Sequence, residues 1–266
     1  MYETTYHRPS SVDEAVAMFA KGAESKYLAG GHTLIPVMKQ RLAAPSDVID
    51  LGRIKELVGI ELSGDTLIIK AATTHYDVAG SGPVRKAIPA LAYLASLIGD
   101  PAVRYRGTIG GSIANNDPAA DYPAAVLALG ATIKTNKRSI AADDFFKGLF
   151  TTALDDGEII TQVAFPVPAR AGYSKFAHPA SRFALTGVFV VKTKSGEVRA
   201  AATGASQNGV RRVGSIEAAL KANWSAGALE NVAISADGLL TDIHGSSTYR
   251  ANLIKVMAQR AVAAAG

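Results

Sequence analysis

Two short stretches place adjacent glycines beside hydroxyl residues: Ala29-Gly30-Gly31-His32-Thr33-Leu34 and Thr108-Ile109-Gly110-Gly111-Ser112-Ile113-Ala114-Asn115. Glycine pairs let consecutive backbone N–H groups point into one concavity, and the missing Cβ atoms let an anion come close to the main chain. Thr33, Thr108 and Ser112 add hydroxyl donors, and a helix starting after Gly31 would turn the positive end of its dipole to the same place. One such pair is an ordinary turn signal. Two of the same composition predict a ligand with two linked phosphates, held between both loops. The commoner nucleotide motifs fail on their residues: Gly80-Ser81-Gly82 continues as Pro83-Val84-Arg85, and no G-x-x-x-x-G-K-[ST] occurs.

Other reactive constellations are sparse. The chain has no cysteine, so disulfides, thiolate metal sites, cysteine nucleophiles and iron–sulfur ligation are excluded. The histidines His7, His32, His75, His178 and His244 show no metal-ligand spacing. His75 and His178 read as surface or hydrogen-bonded side chains, and His32 stands apart only because it lies in a glycine loop. No G-x-S-x-G elbow is present. Asp143-Asp144 reads as a helix cap and Asp117-Pro118 as a turn start. Asp121 has two open readings, a cap for the helix at Tyr122 or a carboxylate accepting from the hydroxyls of a polyol chain. Arg211-Arg212 reads as a solvated pair, because no basic or aromatic run surrounds it. No catalytic side chain and no metal site are expected.

The elements that would position these loops read as mixed α and β. Residues 4–7 suggest a strand. Ser11-Val12-Asp13-Glu14 has capping-box spacing, and Val12, Ala15, Val16 and Phe19 repeat about one turn apart, with Gly22 in the place of a left-handed C-terminal residue. A strand at 26–29 leads into the first glycine pair, and a helix over 33–41 follows it. Strands are predicted at 48–51 and 66–70, and a long helix runs from Pro83 through Ile98, ended by Gly99-Asp100-Pro101. A helix at 122–129 and strands near 131–135 and 158–165 complete this part. Phe165-Pro166-Val167-Pro168 then breaks the pattern and suggests a boundary near residue 170. Beyond it, strands at 186–194 and 198–204 form a hairpin across Ser195-Gly196, followed by helices near 215–222, 226–236 and 247–265. The expected division is 1–55, 56–170 and 171–266.

Length and composition agree with a folded chain of this kind. The 266 residues are 48% hydrophobic and 19% charged, which suits a compact domain structure rather than a solvated tail. No apolar run nears the roughly 18 residues that cross a bilayer, and residues 1–8 lack a signal-peptide pattern, so a cytoplasmic location is expected. The net charge of +5 is spread along the sequence, which suits a bound anion at least as well as nucleic acid, and no nucleic-acid partner is expected.

The first glycine loop, and the second extended through Asn116-Asp117-Pro118-Ala119-Ala120-Asp121-Tyr122-Pro123, resemble the two FAD-binding signatures of the flavoprotein subunits of molybdenum hydroxylases. The likeness is greatest to the medium subunits of aerobic carbon monoxide dehydrogenases and extends over nearly the whole chain, including Tyr6-His7-Arg8-Pro9. The resemblance implies an α+β fold: a two-part FAD-binding domain, similar to that of vanillyl-alcohol oxidase, plus a small C-terminal α+β domain. It also implies that Leu28 to Leu34 and Thr108 to Ser112, with Asn115, surround the cofactor, and that Asp121 holds its ribityl hydroxyls. Ile109 and Ser112 would then lie beside the flavin, Ile160 would touch it through the main chain, and Lys175 and Phe183 would stand near the isoalloxazine. Arg182 replaces an aspartate of those relatives, and Phe183 a tyrosine or tryptophan. The implied partners are a molybdenum-cofactor large subunit and a small subunit with two [2Fe–2S] clusters, arranged as a dimer of heterotrimers. The chain would relay electrons from those clusters to an external acceptor. Two rival readings are a freestanding FAD-dependent oxidoreductase and a non-enzymatic nucleotide-binding module.

Overall fold

The computed structural model describes residues 1–265. Three sheets follow one another along the chain. The first is parallel and three-stranded, with Asp47–Asp50 between Thr5–His7 and Ser25–Leu28. The helix Val12–Phe19 joins its two edges, capped by the Ser11 hydroxyl accepting from the Glu14 amide at 3.2 Å. Its core is small: Val12, Ala15, Ile49, Ile54 and Leu57, closed by Ala72 and Ile159 from the middle of the chain.

The second sheet is antiparallel, in the order Ile60–Ser63, Thr66–Lys70, Ile160–Pro166, Thr132–Thr135, Ser139–Ala141. The third is antiparallel too, running Arg170–Ala177, Ala184–Lys192, Val198–Thr203, Arg211–Arg212. Between them lie Pro89–Ser96 and Tyr122–Ala128, whose Leu91, Leu94, Val126 and Leu127 meet Leu67, Val163 and Phe165 on one side and Phe189 and Val191 on the other. Val188 and Val190 face the opposite way, onto Ile254, Met257 and Ala258 of the long helix Ser247–Ala264. Side chains alternate along a strand, so a strand covered on both faces needs apolar residues at every position. That is why the stretch from Ala184 to Val191 shows no polar alternation. The long helix packs so closely on the third sheet that a Cβ at Gly172 would sit 1.9 Å from the Ala261 carbonyl oxygen.

Several elements depart from the expectations. The long helix from Pro83 is two helices, Gly82–Ala87 and Pro89–Ser96, because Ile88 precedes a proline and is driven to φ −142°. Pro101 opens a helix, Pro101–Arg106, capped by Asp100, instead of only ending one. Gly22 is not left-handed; the first helix stops at Phe19, and a Cβ at Gly22 would meet the Asp47 carboxylate and the Ser25 hydroxyl, both at 2.4 Å. The helix expected over 226–236 is one turn, Gly227–Leu229. Strands Ile60–Ser63 and Arg170–Ala177 and the helix His75–Gly80 add to those foreseen. Asp143 caps nothing: it pairs with Arg199 at 2.7 Å. Arg212 is not solvated but bonded to Glu217 at 2.6 Å.

Candidate nucleotide-binding cleft

The two glycine loops meet. A Cβ built on Gly30 would lie 2.3 Å from the Arg106 carbonyl oxygen, and one on Gly111 would lie 3.3 Å from the Ala29 Cβ. They form the floor of a cleft of about 660 Å³ between the parallel sheet and the middle of the chain. That volume is in the range of small-molecule and cofactor sites.

The loops do different work. Gly31 has φ +77°, a conformation natural to glycine, and among the described residues the amides of Gly30, Gly31, His32, Thr33 and Leu34 find no acceptor within the protein. Nor do the side chains of His32 and Thr33 make a hydrogen bond, and Thr33 precedes the helix Leu34–Lys39 without capping it. Such a row of open donors suits an anion. The second loop is committed instead. Ile109 donates to the Thr73 carbonyl at 3.2 Å, Gly110 to Ala71 at 2.8 Å, and Ser112 to Thr108 at 3.0 Å, while Gly111 donates to the Thr108 hydroxyl at 3.1 Å. Here glycine allows close packing: a Cβ at Gly110 would lie 2.6 Å from the Ala71 Cβ.

Leu28, Ala29, Gly30, Gly31, His32, Thr33, Leu34, Thr108, Gly110, Gly111, Ser112, Asn115, Ile160 and Phe183 all line this cleft. Ile109, Asp121 and Lys175 do not. Ile109 is fully buried in the core. Asp121 is 4% exposed and its side chain does not cap the helix at Tyr122. Its carboxylate accepts from the Tyr173 hydroxyl at 2.5 Å and from the Lys175 ammonium at 3.0–3.1 Å, and that ammonium also donates to the Leu97 carbonyl. Burial pushes the Asp121 carboxyl up, against the opposing pull of Lys175 and Tyr173.

The cleft also holds residues that the sequence did not point to, among them His75, Glu158 and Phe150. His75 is neither a surface nor a hydrogen-bonded histidine: it is 5% exposed and its Nδ1 has no partner. Burial, with His32 and Arg104 nearby, lowers its pKa to about 3, so the ring is neutral at ordinary pH. Glu158 would repel an anion, but both its oxygens are engaged by Arg138 at 3.0–3.1 Å, with Thr135 and the Asp155 amide. These bonds outweigh burial and hold its pKa near 2. Thr74 caps the helix His75–Gly80 by accepting from the Asp77 amide and is the one local sign of an element there; nothing local marks Phe150.

An α+β scaffold with an anion seat and an apolar-walled cleft defines a nucleotide-binding protein, without a metal-binding cluster or a membrane-crossing helix among the described residues. The family model for the FAD binding domain in molybdopterin dehydrogenase matches residues 2–168. The chain is 37% identical to the carbon monoxide dehydrogenase medium chain of Hydrogenophaga pseudoflava, covering 98% of this chain and 96% of the relative. It is 35% identical to the nicotine 6-hydroxylase medium subunit of Paenarthrobacter nicotinovorans, with coverage of 98% and 96%. The crystal structure of Cu,Mo-CO dehydrogenase in its cyanide-inactivated form superimposes with a TM-score of 0.90 at 34% identity, covering 99% of this chain and 98% of the other. The chain belongs to the family of FAD-binding medium subunits of molybdenum hydroxylase-type dehydrogenases. It is the flavoprotein subunit of an oxidoreductase, and FAD is its cofactor.

Proposed function

We propose that this chain relays electrons within such a complex, receiving them from [2Fe–2S] clusters on a small subunit and releasing them to an external acceptor, while a large subunit carries the molybdenum cofactor. The observation that carries this reading is the row of free amides from Gly30 to Leu34 at the floor of the cleft, in a chain with no cysteine to ligate a cluster of its own. When bound, FAD supplies the exchange between single-electron and two-electron transfer. The protein's residues bind and orient it. The amides of 30–34 hold the diphosphate, and the Thr33 and Ser112 hydroxyls, unbonded in the protein, donate beside them. Thr108 fixes the start of the 109–115 helix by accepting from Gly111. His75 is neutral and Glu158 is ion-paired with Arg138, which leaves Asp117, accepting from the Ala119 amide, as the one unpaired carboxylate among the lining residues. Leu28, Val37, Leu51, Leu57, Ile159 and Ile160 exclude water.

The Lys175 ammonium lies one layer behind the cleft, ion-paired with Asp121, whose chain neighbour Ala120 lines the cleft. Residues 1–55 and 56–170 form the two halves of the FAD site, and 171–266 a C-terminal unit that adds Phe183. The complex is a dimer of heterotrimers in the cytoplasm. Purification of the tagged chain from its native host tests this reading. Co-purification of a cysteine-rich small subunit and a molybdenum-bearing large one is expected. A yellow monomer that turns over a substrate of its own would overturn it.

A further inference from the structure

Four non-glycine residues among those described have positive φ: Arg41, Asn116, Phe150 and Arg182. Three of them stand at the cleft. Asn116 lies between Asn115 and Asp117, Phe150 lines the cleft itself, and Arg182 precedes Phe183, which also lines it. Strained backbone of this kind persists only where the surroundings hold it, and it gathers at ligand clamps.

Phe150 is the extreme case. It forms the tip of the hairpin between Phe146–Gly148 and Thr151–Thr152, at φ +52°, and the residue is 61% exposed. A bulky ring held in the left-handed region and left open to water is unfavourable on both counts, so packing within this chain does not explain it. Yet the tip is firmly held. The Asn116 side-chain amide donates to the carbonyls of Gly148 and Thr151 at 2.7 and 2.8 Å, and the Phe150 amide donates to the Asn116 carbonyl at 3.2 Å. Asn116 is itself buried and ends the Ile109–Asn115 helix in a left-handed conformation. The ring is therefore fixed to the same helix that begins at the second glycine loop.

We propose that Phe150 is a stacking platform for a planar heteroaromatic ring of the bound cofactor. This rests on the assignment of FAD to the cleft. The hairpin presents a flat apolar face at a set distance from the loop floor, and aromatic rings gain most from an offset partner of their own kind. Burying the ring under the cofactor also removes its exposed apolar surface from water. Seven helical residues at 1.5 Å each separate the loop floor from the Asn116 anchor by about 10 Å, a span that reaches from a diphosphate toward either end of a dinucleotide. The chemistry is shared by both ends, flavin and adenine.

Titration calorimetry on the full chain tests the assignment, with FAD and with ADP, on the wild type, Phe150→Gly and Phe150→Tyr. Glycine accepts φ +52° freely, so Phe150→Gly is expected to melt no lower than the wild type while binding FAD about tenfold more weakly. Phe150→Tyr keeps the ring and is expected to restore the affinity. An equal loss for ADP places the adenine on Phe150; an unchanged ADP affinity places the flavin there. If wild type and Phe150→Gly bind FAD alike, the platform is refuted and the cofactor assignment stands. A wild type that binds no FAD refutes both.

Discussion

Around Gly110 the backbone N–H groups from Ile109 to Ser112 are all bonded within the protein, whereas around Gly30 the five from Gly30 to Leu34 are open. In sequence the two stretches look alike, each a glycine pair beside hydroxyls. In space one is a packing device and the other an anion seat. Glycine serves two ends in them: at Gly31 it allows a positive φ that points the amides outward, and at Gly110 it lets a helix lie against Ala71. Composition therefore reveals that a main chain must come close to something, but not whether that something is a ligand or the protein. Residues that are already bonded should govern stability when changed, and open ones should govern cofactor affinity.

The largest effect is expected behind the cleft. Lys175→Met leaves the buried Asp121 carboxylate with only Tyr173, and losing one partner of a buried pair costs about 3–5 kcal/mol. Thermal melts should show it, and adding Asp121→Asn should recover part of the loss; no recovery would mean that the pair is not the reason. Next comes Gly110→Ala, whose new Cβ would face the Ala71 Cβ at 2.6 Å and its carbonyl oxygen at 2.7 Å. Because one of these is backbone, it cannot rotate away, and roughly 2 kcal/mol of stability should be lost in denaturant unfolding.

His75 gives a pH signature to the packed side. Its folded pKa, about 3, lies below the ordinary 6.5, so the unfolded chain takes up the proton first. Its contribution is complete above about pH 6.5 and falls as the pH drops toward 3, by about 1.4 kcal/mol per unit. His75→Gln should flatten that part of the stability–pH curve, and an unchanged slope would contradict the buried neutral ring. The smallest stability effect belongs to the open side. Thr33→Ala breaks no bond in the protein, so its melting temperature should match the wild type while FAD binds a few-fold more weakly. A clear loss of stability would mean that the first loop is not open after all.

Much of the fold was legible because it follows local rules. The Ser11 capping box, the strand Thr66–Lys70 and the hairpin from Ala184–Lys192 to Val198–Thr203 all appear where their patterns place them. Ile60–Ser63 was not legible because its signal is short: Ile60 and Leu62 alternate with Glu61 and Ser63 over only four residues, and as an edge strand it leaves three of the four exposed. Arg170–Ala177 follows a proline-rich turn and is defined by pairing across the sheet, which no local pattern records. At the site, both glycine loops were visible by composition and by family likeness. The commitment of the second loop to Thr73 and Ala71 was hidden, because those acceptors lie more than 30 residues away in sequence. Phe150 was hidden for a similar reason, since it is a tertiary anchor, Asn116, that brings its hairpin to the cleft.

Amide hydrogen exchange, read by mass spectrometry on the free chain and after adding FAD, bears most directly on the asymmetry of the two loops. Amides 30–34 should exchange quickly in the free chain and become protected when FAD binds, while 109–112 should be slow in both states. Equal gains in protection over the two loops, or none over 30–34, would contradict it.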